Sequence, residues 1–177
     1  MPVALRTPRL LLREWRDEDR GPFAAISADP AVTAWLQGQA DRAASDAWID
    51  GMRRLRDEHG FGYWAVELPG DTSLIGAIGL SRVRSLPCAP AIEIGWRLAP
   101  AYWGRGYATE AARAALEDGL FRLGVDEIVA FTVPANVRSR RVMERLGMAR
   151  DPADDFEHPG FAPGHPMRRH VLYRIRR

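Results

Sequence analysis

The sequence predicts an α+β fold in which helices flank a mixed, mostly antiparallel central sheet. Apolar residues follow a helical spacing at 43–59, and from residue 61 the pattern changes to two strands around a Pro-Gly-Asp turn at 69–71. From residue 91, a strand, a helix, a strand and a second helix follow one another, which indicates a crossover connection. With 177 residues and 46% apolar content, the chain is expected to form a single domain over 1–177.

The first half of the chain is predicted to contain an early strand, three helical segments and a hairpin. An acidic run at 17–19 favours a helix start, because carboxylates stabilise the amides of a helix N-terminus. Residues 43–59 carry apolar side chains every three or four positions, which predicts an amphipathic helix that ends at Gly60. The predicted elements are a strand at 10–15, helices at 17–28, from 29 and at 43–59, and strands at 63–68 and 74–80.

The second half is predicted to alternate strands and helices. Residues 127–133 are almost continuously apolar, as expected of a strand that is buried on both faces. The helix predicted at 139–146 is expected to end at Gly147. The predicted elements are strands at 91–98, 127–133 and 170–175, and helices at 108–123 and 139–146.

Composition and charge argue against several classes of function. The net charge is only +2, and acidic residues are interleaved with the 25 basic ones, all arginine, so we expect no nucleic-acid partner. The single cysteine, Cys88, excludes a disulfide within the chain and fits a reducing compartment. Neither a signal-peptide pattern nor a run of ~20 apolar residues is present, so we expect a cytoplasmic protein without a membrane partner. Four histidines at irregular spacing predict no metal site.

A glycine-rich turn at 103–109 (Trp-Gly-Arg-Gly-Tyr-Ala-Thr) lies between a predicted strand and a predicted helix. The first amides of a helix lack partners within the helix and carry partial positive charge, so such a turn suits a phosphate group. An isolated Gly-x-Gly is more often a plain helix entry. The chain has no lysine for a Walker motif, and Thr109 stands where a dinucleotide fingerprint has its third glycine.

The residues around this turn resemble a known family. The block at 94–111 (Ile-Gly-Trp-Arg-Leu-Ala-Pro-Ala-Tyr-Trp-Gly-Arg-Gly-Tyr-Ala-Thr-Glu-Ala) is similar to the acetyl-CoA motif of the GNAT superfamily, in its RimJ/RimL-like branch. The block at 136–148, from Asn-Val-Arg-Ser to Glu-Arg-Leu-Gly-Met, resembles a second signature of that branch. The Thr-Pro-Arg-Leu-x-Leu-Arg opening at 7–13 also fits, whereas Ala101 departs from the Gln or Arg with which the general motif begins.

The resemblance implies the GNAT acyl-CoA N-acyltransferase fold, acetyl-CoA as acyl donor and an amine as acceptor. Backbone groups at 96–98 would bind the pantetheine arm, the turn at 104–109 would bind the diphosphate, and Asn136 would hold the arm through its side chain unless it only caps a helix. The cofactor-binding residues implied are Trp96, Arg97, Leu98, Trp103, Gly104, Arg105, Gly106, Tyr107, Ala108, Thr109, Asn136, Ser139 and Arg141.

The catalytic residues are predicted less directly. Ser139 is the candidate acid for the departing thiolate, because Met143 stands where many GNAT proteins have a tyrosine. Glu93 is the candidate base, and its strand position leaves it either exposed or directed into the cleft. A polar cluster near Asp155 and Glu157 offers an alternative base.

Trp35, Asp155 and Glu157 are the predicted acceptor-binding residues. The acceptor is expected to be a protein N-terminus or a small-molecule amine, and a homodimer is left open. The competing hypotheses are an acyl-CoA-binding sensor without catalysis and a nucleic-acid-binding protein, which would bind duplexes with an affinity that falls steeply with salt.

Overall fold

The computed structural model describes residues 4–36 and 41–177. Its helices are α1 (Arg20–Ala28), α2 (Pro30–Thr33), α3 (Arg42–His59), α4 (Tyr107–Glu117) and α5 (Val137–Arg145). Its strands are β1 (Ala4–Arg6), β2 (Leu11–Arg13), β3 (Tyr63–Leu68), β4 (Thr72–Val83), β5 (Ala91–Leu98), β6 (Glu127–Thr132), β7 (Ala149–Arg150), β8 (Phe156–Glu157) and β9 (Arg169–Arg176).

The strands form a mixed sheet in the order β1-β2-β3-β4-β5-β6-β9-β7, with β8 paired to β9. Neighbouring strands run antiparallel except for β5 and β6, which are parallel and joined by the crossover helix α4. The predicted fold class, a mostly antiparallel mixed sheet with flanking helices, is therefore confirmed. The hairpin of β3 and β4 is confirmed too, with Gly70 at a φ of 86° in its turn.

Helices cover both faces of the sheet, and alternate residues of each strand point to opposite layers. On β4, Ile78 packs in the layer that contains α4, whereas Ala77 packs in the layer that contains Phe23 of α1 and Ile49 of α3. On β5, Ile94 and Leu98 join the α4 layer. Trp96 packs on the same layer, so the alternate positions Glu93 and Arg97 face α1 and α3.

Helix α3 follows its sequence signals closely. The Asp41 carboxylate accepts a hydrogen bond from the amide of Ala44 and so caps the N-terminus, and Gly60 ends the helix in the left-handed conformation with φ 75°. The predicted end at Gly60 is confirmed.

Several predicted boundaries were wrong. The strand predicted at 10–15 ends at Arg13, because Trp15 turns away to donate its indole N–H to the Tyr63 carbonyl and to pack against Phe23. The α-helix predicted to residue 123 ends at Glu117 and continues as a π-helical turn that places Gly119 against Leu80. Strands β1, β7 and β8 were missed because two or three residues are too few for periodicity to show.

None of the helices in the described parts of the chain is long and apolar enough to cross a membrane.

Candidate active site

The site is a cleft that opens where β5 and β6 separate. The two strands pair at Ile92 with Ile128 and at Glu93 with Val129, and the pairing ends there although β5 continues to Leu98. Beyond Glu93 the backbone edge of β5 that faces β6 is no longer paired with a strand, and at its end the Leu98 carbonyl accepts a hydrogen bond from the Trp103 indole at 2.7 Å. The cleft has a volume of about 460 Å³, within the usual range of ~300–1,000 Å³ for a small-molecule site.

Most of the residues predicted from the sequence to bind the cofactor lie along this cleft. They are Trp96, Arg97, Leu98, Trp103, Gly104, Gly106, Tyr107, Ala108, Thr109, Asn136, Ser139 and Arg141. Glu93 and Trp35 line it as well. Arg105, Asp155 and Glu157 are not among the lining residues.

The glycine turn leads into α4 in a conformation that suits a diphosphate. Gly104 and Gly106 have φ values of 74° and 81°, in the left-handed region that favours glycine. A Cβ at Gly104 would meet no atom within 4 Å, so glycine is required there for conformation rather than for space. The first backbone bond of the helix runs from the Glu110 amide to the Gly106 carbonyl, at 3.0 Å. The amides of residues 107–109 are consequently open to a ligand.

The N-terminal motif holds this turn in place, a role that the sequence did not reveal. One Glu110 carboxylate oxygen accepts hydrogen bonds from the Thr7 hydroxyl at 2.6 Å and from the Arg9 amide at 2.9 Å. The Arg9 guanidinium pairs with Glu110 at 2.6 Å and donates to the Arg105 carbonyl at 3.0 Å. The blocks at 7–13 and 94–111, separate in the sequence, thus form one structural unit.

Arginines surround the end of the cleft at the glycine turn. Arg138, Arg141 and Arg145 of α5 line it, and the Arg138 guanidinium lies 5.1 Å from the centre of the Trp103 ring. Arg105 is exposed and lies over Tyr102, 5.9 Å from the ring centre. Together with the open amides, these cations fit a polyanionic group such as the diphosphate of coenzyme A.

Asn136 caps α5 in this structure. Its side-chain oxygen accepts a hydrogen bond from the Ser139 amide at 3.3 Å, and its side-chain nitrogen donates to the Thr132 hydroxyl at 3.1 Å. The cap fixes Ser139 in the first turn of α5, half-buried on the cleft wall.

Glu93 points into the cleft rather than to bulk solvent. It is half-buried, and the Ser81 hydroxyl donates a hydrogen bond to its carboxylate at 3.4 Å. Burial raises the pKa of Glu93 to about 7, against the smaller lowering effect of the Ser81 hydrogen bond. A carboxyl group with this pKa can accept a proton near neutral pH.

Tyr63 and Trp48 are cleft residues that the sequence analysis missed. Tyr63 of β3 pairs with Gly79 of β4, which in turn pairs with Gly95 of β5. The Tyr63 side chain extends over both glycines, and a Cβ at Gly95 would lie 2.0 Å from its hydroxyl. Burial, and then the charge of Glu93, raise the pKa of Tyr63. Glycines at facing positions of neighbouring strands signal such a close approach and could have revealed it.

Asp155 and Glu157, predicted to bind the acceptor, have structural partners instead. The Asp155 side chain is fully buried and accepts hydrogen bonds from Arg150 at 3.1 Å and from the Leu172 amide at 3.3 Å. Glu157 pairs with Arg168 at 2.9 Å. Trp35 lines the cleft next to Val32 of α2.

Within residues 4–36 and 41–177, no group of three or more His, Cys, Asp or Glu side chains could hold a metal ion.

The chain is similar to known acetyltransferases. A family model described as an acetyltransferase (GNAT) domain matches residues 9–149. The uncharacterized protein YkkB of Bacillus subtilis strain 168 is 31% identical over 81% of this chain and 84% of its own length. The uncharacterized N-acetyltransferase YnaD of the same organism is 30% identical over 83% of each chain. The crystal structure of an acetyltransferase from Agrobacterium tumefaciens strain C58 superposes with a TM-score of 0.81 at 28% identity, covering 100% of this chain and 95% of that one.

Proposed function

The chain belongs to the GNAT acetyltransferase family and is an N-acetyltransferase, and we propose that it transfers an acetyl group directly from acetyl-CoA to an amine in a ternary complex. One observation carries the proposal: the gap between β5 and β6 leads straight to the open amides at the start of α4. We place the chain in the RimJ/RimL-like branch, on the sequence blocks at 94–111 and 136–148.

In this proposal, the amides at 107–109 and the α5 arginines hold the diphosphate, and the open edge of β5 at 95–98 pairs with the amide groups of the pantetheine arm. When bound, acetyl-CoA supplies the thioester as acyl donor. A backbone N–H on this edge would polarise the thioester carbonyl, since a donor held rigidly where negative charge develops is among the strongest catalytic devices.

Glu93 is the proposed base. An amine must lose a proton before or during attack, and the Glu93 carboxylate faces the cleft with a pKa of about 7. Ser81 holds the carboxylate in place through its hydroxyl.

Ser139 is the proposed acid for the thiolate that leaves. Asn136 accepts from its amide and so fixes its position on the cleft wall. The acceptor is either a protein N-terminus or a small amine, and Trp35 is proposed to contact it.

Initial-rate kinetics test the direct mechanism. With acetyl-CoA and an accepted amine varied together, a ternary complex gives intersecting double-reciprocal lines, and a covalent acetyl-enzyme gives parallel ones. The acceptor is found first, by mass spectrometry of a panel of amines and short peptides incubated with the protein and acetyl-CoA. Binding of acetyl-CoA without acetylation of any amine would favour the sensor hypothesis.

A further inference from the structure

Arg97 is a half-buried arginine in the cleft wall whose only hydrogen-bond partner among the described residues is a hydroxyl group. It lies on the face of β5 that α1 and α3 cover, and its guanidinium donates to the Ser27 hydroxyl at 3.0 Å. The guanidinium carbon lies 5.4 Å from the centre of the Phe23 ring and 5.5 Å from that of Trp48. Among residues 4–36 and 41–177, no carboxylate pairs with Arg97, and burial and Tyr63 are the influences on its pKa.

The two most buried arginines of the protein, unlike Arg97, pair with carboxylates. Arg13 pairs with Asp19 at 2.7 Å and with Glu67 at 2.7 Å. Arg56 pairs with Glu14 at 3.4 Å. A buried cation is normally paired because taking it out of water is costly. Arg97 therefore has the surroundings of a cation whose partner is a ligand.

The donors of Arg97 remain available on the cleft side. A guanidinium has five N–H groups in a planar fork, and Ser27 takes one of them. Burial lowers the pKa of Arg97, but an arginine stays charged at neutral pH. Its planar fork matches the two oxygens of a carboxylate.

Arg97 lies at a defined distance from the proposed base. Glu93, Gly95 and Arg97 share one face of β5, and the Tyr63 hydroxyl lies over Gly95 between the two charged residues. Four residues of strand separate the Cα atoms of Glu93 and Arg97 by about 13 Å, and both side chains extend into the same space.

Aromatic rings line the interval between them. Trp48 stacks on Phe23 with ring centres 5.0 Å apart and meets Tyr63 edge-on at 5.1 Å. This wall suits the apolar body of a small molecule, with its amine towards Glu93 and an anionic group towards Arg97.

We propose that the acceptor is a small amine that also carries a carboxylate, and that the carboxylate binds the guanidinium of Arg97, which the buried Ser27 hydroxyl holds in place. One guanidinium matches one negative charge, which favours a carboxylate over a doubly charged phosphate ester. This inference rests on the proposed N-acetyl transfer, and it selects small amino acids over protein N-termini.

The test compares acetylation of matched amines. The probes are 4-aminobutyrate, 6-aminohexanoate, L-methionine and L-phenylalanine, each with its carboxamide, together with 2-aminoethyl phosphate and a short peptide without acidic residues. We expect at least one carboxylate to be acetylated with a kcat/KM at least tenfold above that of its carboxamide. In Arg97→Met that carboxylate should lose about 30-fold or more, whereas its carboxamide should change less than threefold.

Three variants separate ligand binding from structural damage. Arg97→Lys keeps the charge without the fork and should recover part of the loss, and Ser27→Ala should lose less than Arg97→Met. Arg82→Met is the matched control, since Arg82 also stacks on an aromatic ring, Phe61, but does not line the cleft. The cofactor contact proposed at Arg97 is made by the backbone and not by the side chain, so thermal stabilisation by acetyl-CoA should be equal in all of these variants.

The outcomes distinguish this inference from the proposed function. Equal rates for carboxylates and carboxamides, a faster phosphate or peptide, or an unchanged Arg97→Met would overturn the carboxylate site and leave N-acetyl transfer standing. If no probe is acetylated, phenylacetate and benzoate are tested for thermal stabilisation. A stabilisation that Arg97→Met loses supports the site, and its absence overturns it. Absence of stabilisation by acetyl-CoA itself counts against the proposed function instead.

Discussion

Replacing Glu93 by glutamine removes one ionisable group from the cleft while keeping its size. The carboxyl group has a pKa of about 7 in the folded protein, compared with 4.5 for the ordinary side chain. Because a tenfold change in proton affinity is worth about 1.4 kcal/mol, ionising Glu93 in the fold costs at most about 3.5 kcal/mol. Water that enters the cleft screens the charge and lowers this figure.

The sign of the effect follows from proton linkage. The folded protein binds the Glu93 proton more tightly than the unfolded chain does, so this group favours folding fully below pH 4.5, and that contribution is lost as the pH rises through about 7. Relative to Glu93→Gln, the wild-type protein should therefore lose about 2–3 kcal/mol of unfolding free energy between pH 4.5 and pH 8.5.

Urea unfolding at several pH values measures this difference. Glu18→Gln, at an exposed carboxyl outside the cleft, is the matched control for the substitution itself. Glu93→Gln should also reduce kcat/KM about 10²-fold or more, since general bases contribute that much. Its pH–activity profile should lose the rise in activity near pH 7. A free-energy difference between wild type and Glu93→Gln that stays constant with pH would show that the carboxyl is not desolvated.

Three further predictions concern the rest of the cleft. Gly106→Val should abolish thermal stabilisation by acetyl-CoA, worth about 2.7 kcal/mol at a hundredfold excess over Kd, whereas Gly124→Val, which imposes similar strain at a φ of 67° away from the cleft, should retain it; equal shifts would contradict the assignment of the turn. Ser139→Ala should lower kcat more than tenfold with acetyl-CoA affinity changed less than threefold, as measured by steady-state kinetics and calorimetry, and an unaltered kcat would remove Ser139 from the mechanism. Glu110→Ala should cost about 1.5–3 kcal/mol of unfolding free energy through the lost Arg9 and Thr7 contacts, while a loss no larger than that of Glu18→Ala would show that these contacts contribute little.

The sequence predicted those parts of the fold that depend on local pattern. Helix α3 and the β3–β4 hairpin follow from apolar spacing and turn residues, and the glycines at 104 and 106 take the positive φ that their positions suggested. Short strands such as β7 could not be predicted, since their pairing with β9 depends on tertiary contacts.

The proposed cofactor side of the cleft is marked more clearly in the sequence than the proposed acceptor side. The turn that presents the backbone amides is a contiguous glycine motif, which is visible in the sequence. The proposed acceptor side is formed by Trp48, Tyr63 and Arg97, which come from three elements that are distant in the sequence. For Asp155 and Glu157, polarity in the sequence did not distinguish a substrate contact from a buried or surface ion pair.

A crystal structure with bound coenzyme A tests the central claim most directly. We predict diphosphate oxygens within hydrogen-bond distance of the amides at 107–109, and the pantetheine arm between β5 and β6 alongside residues 95–98. A diphosphate bound anywhere else, or an arm outside that gap, would contradict the account.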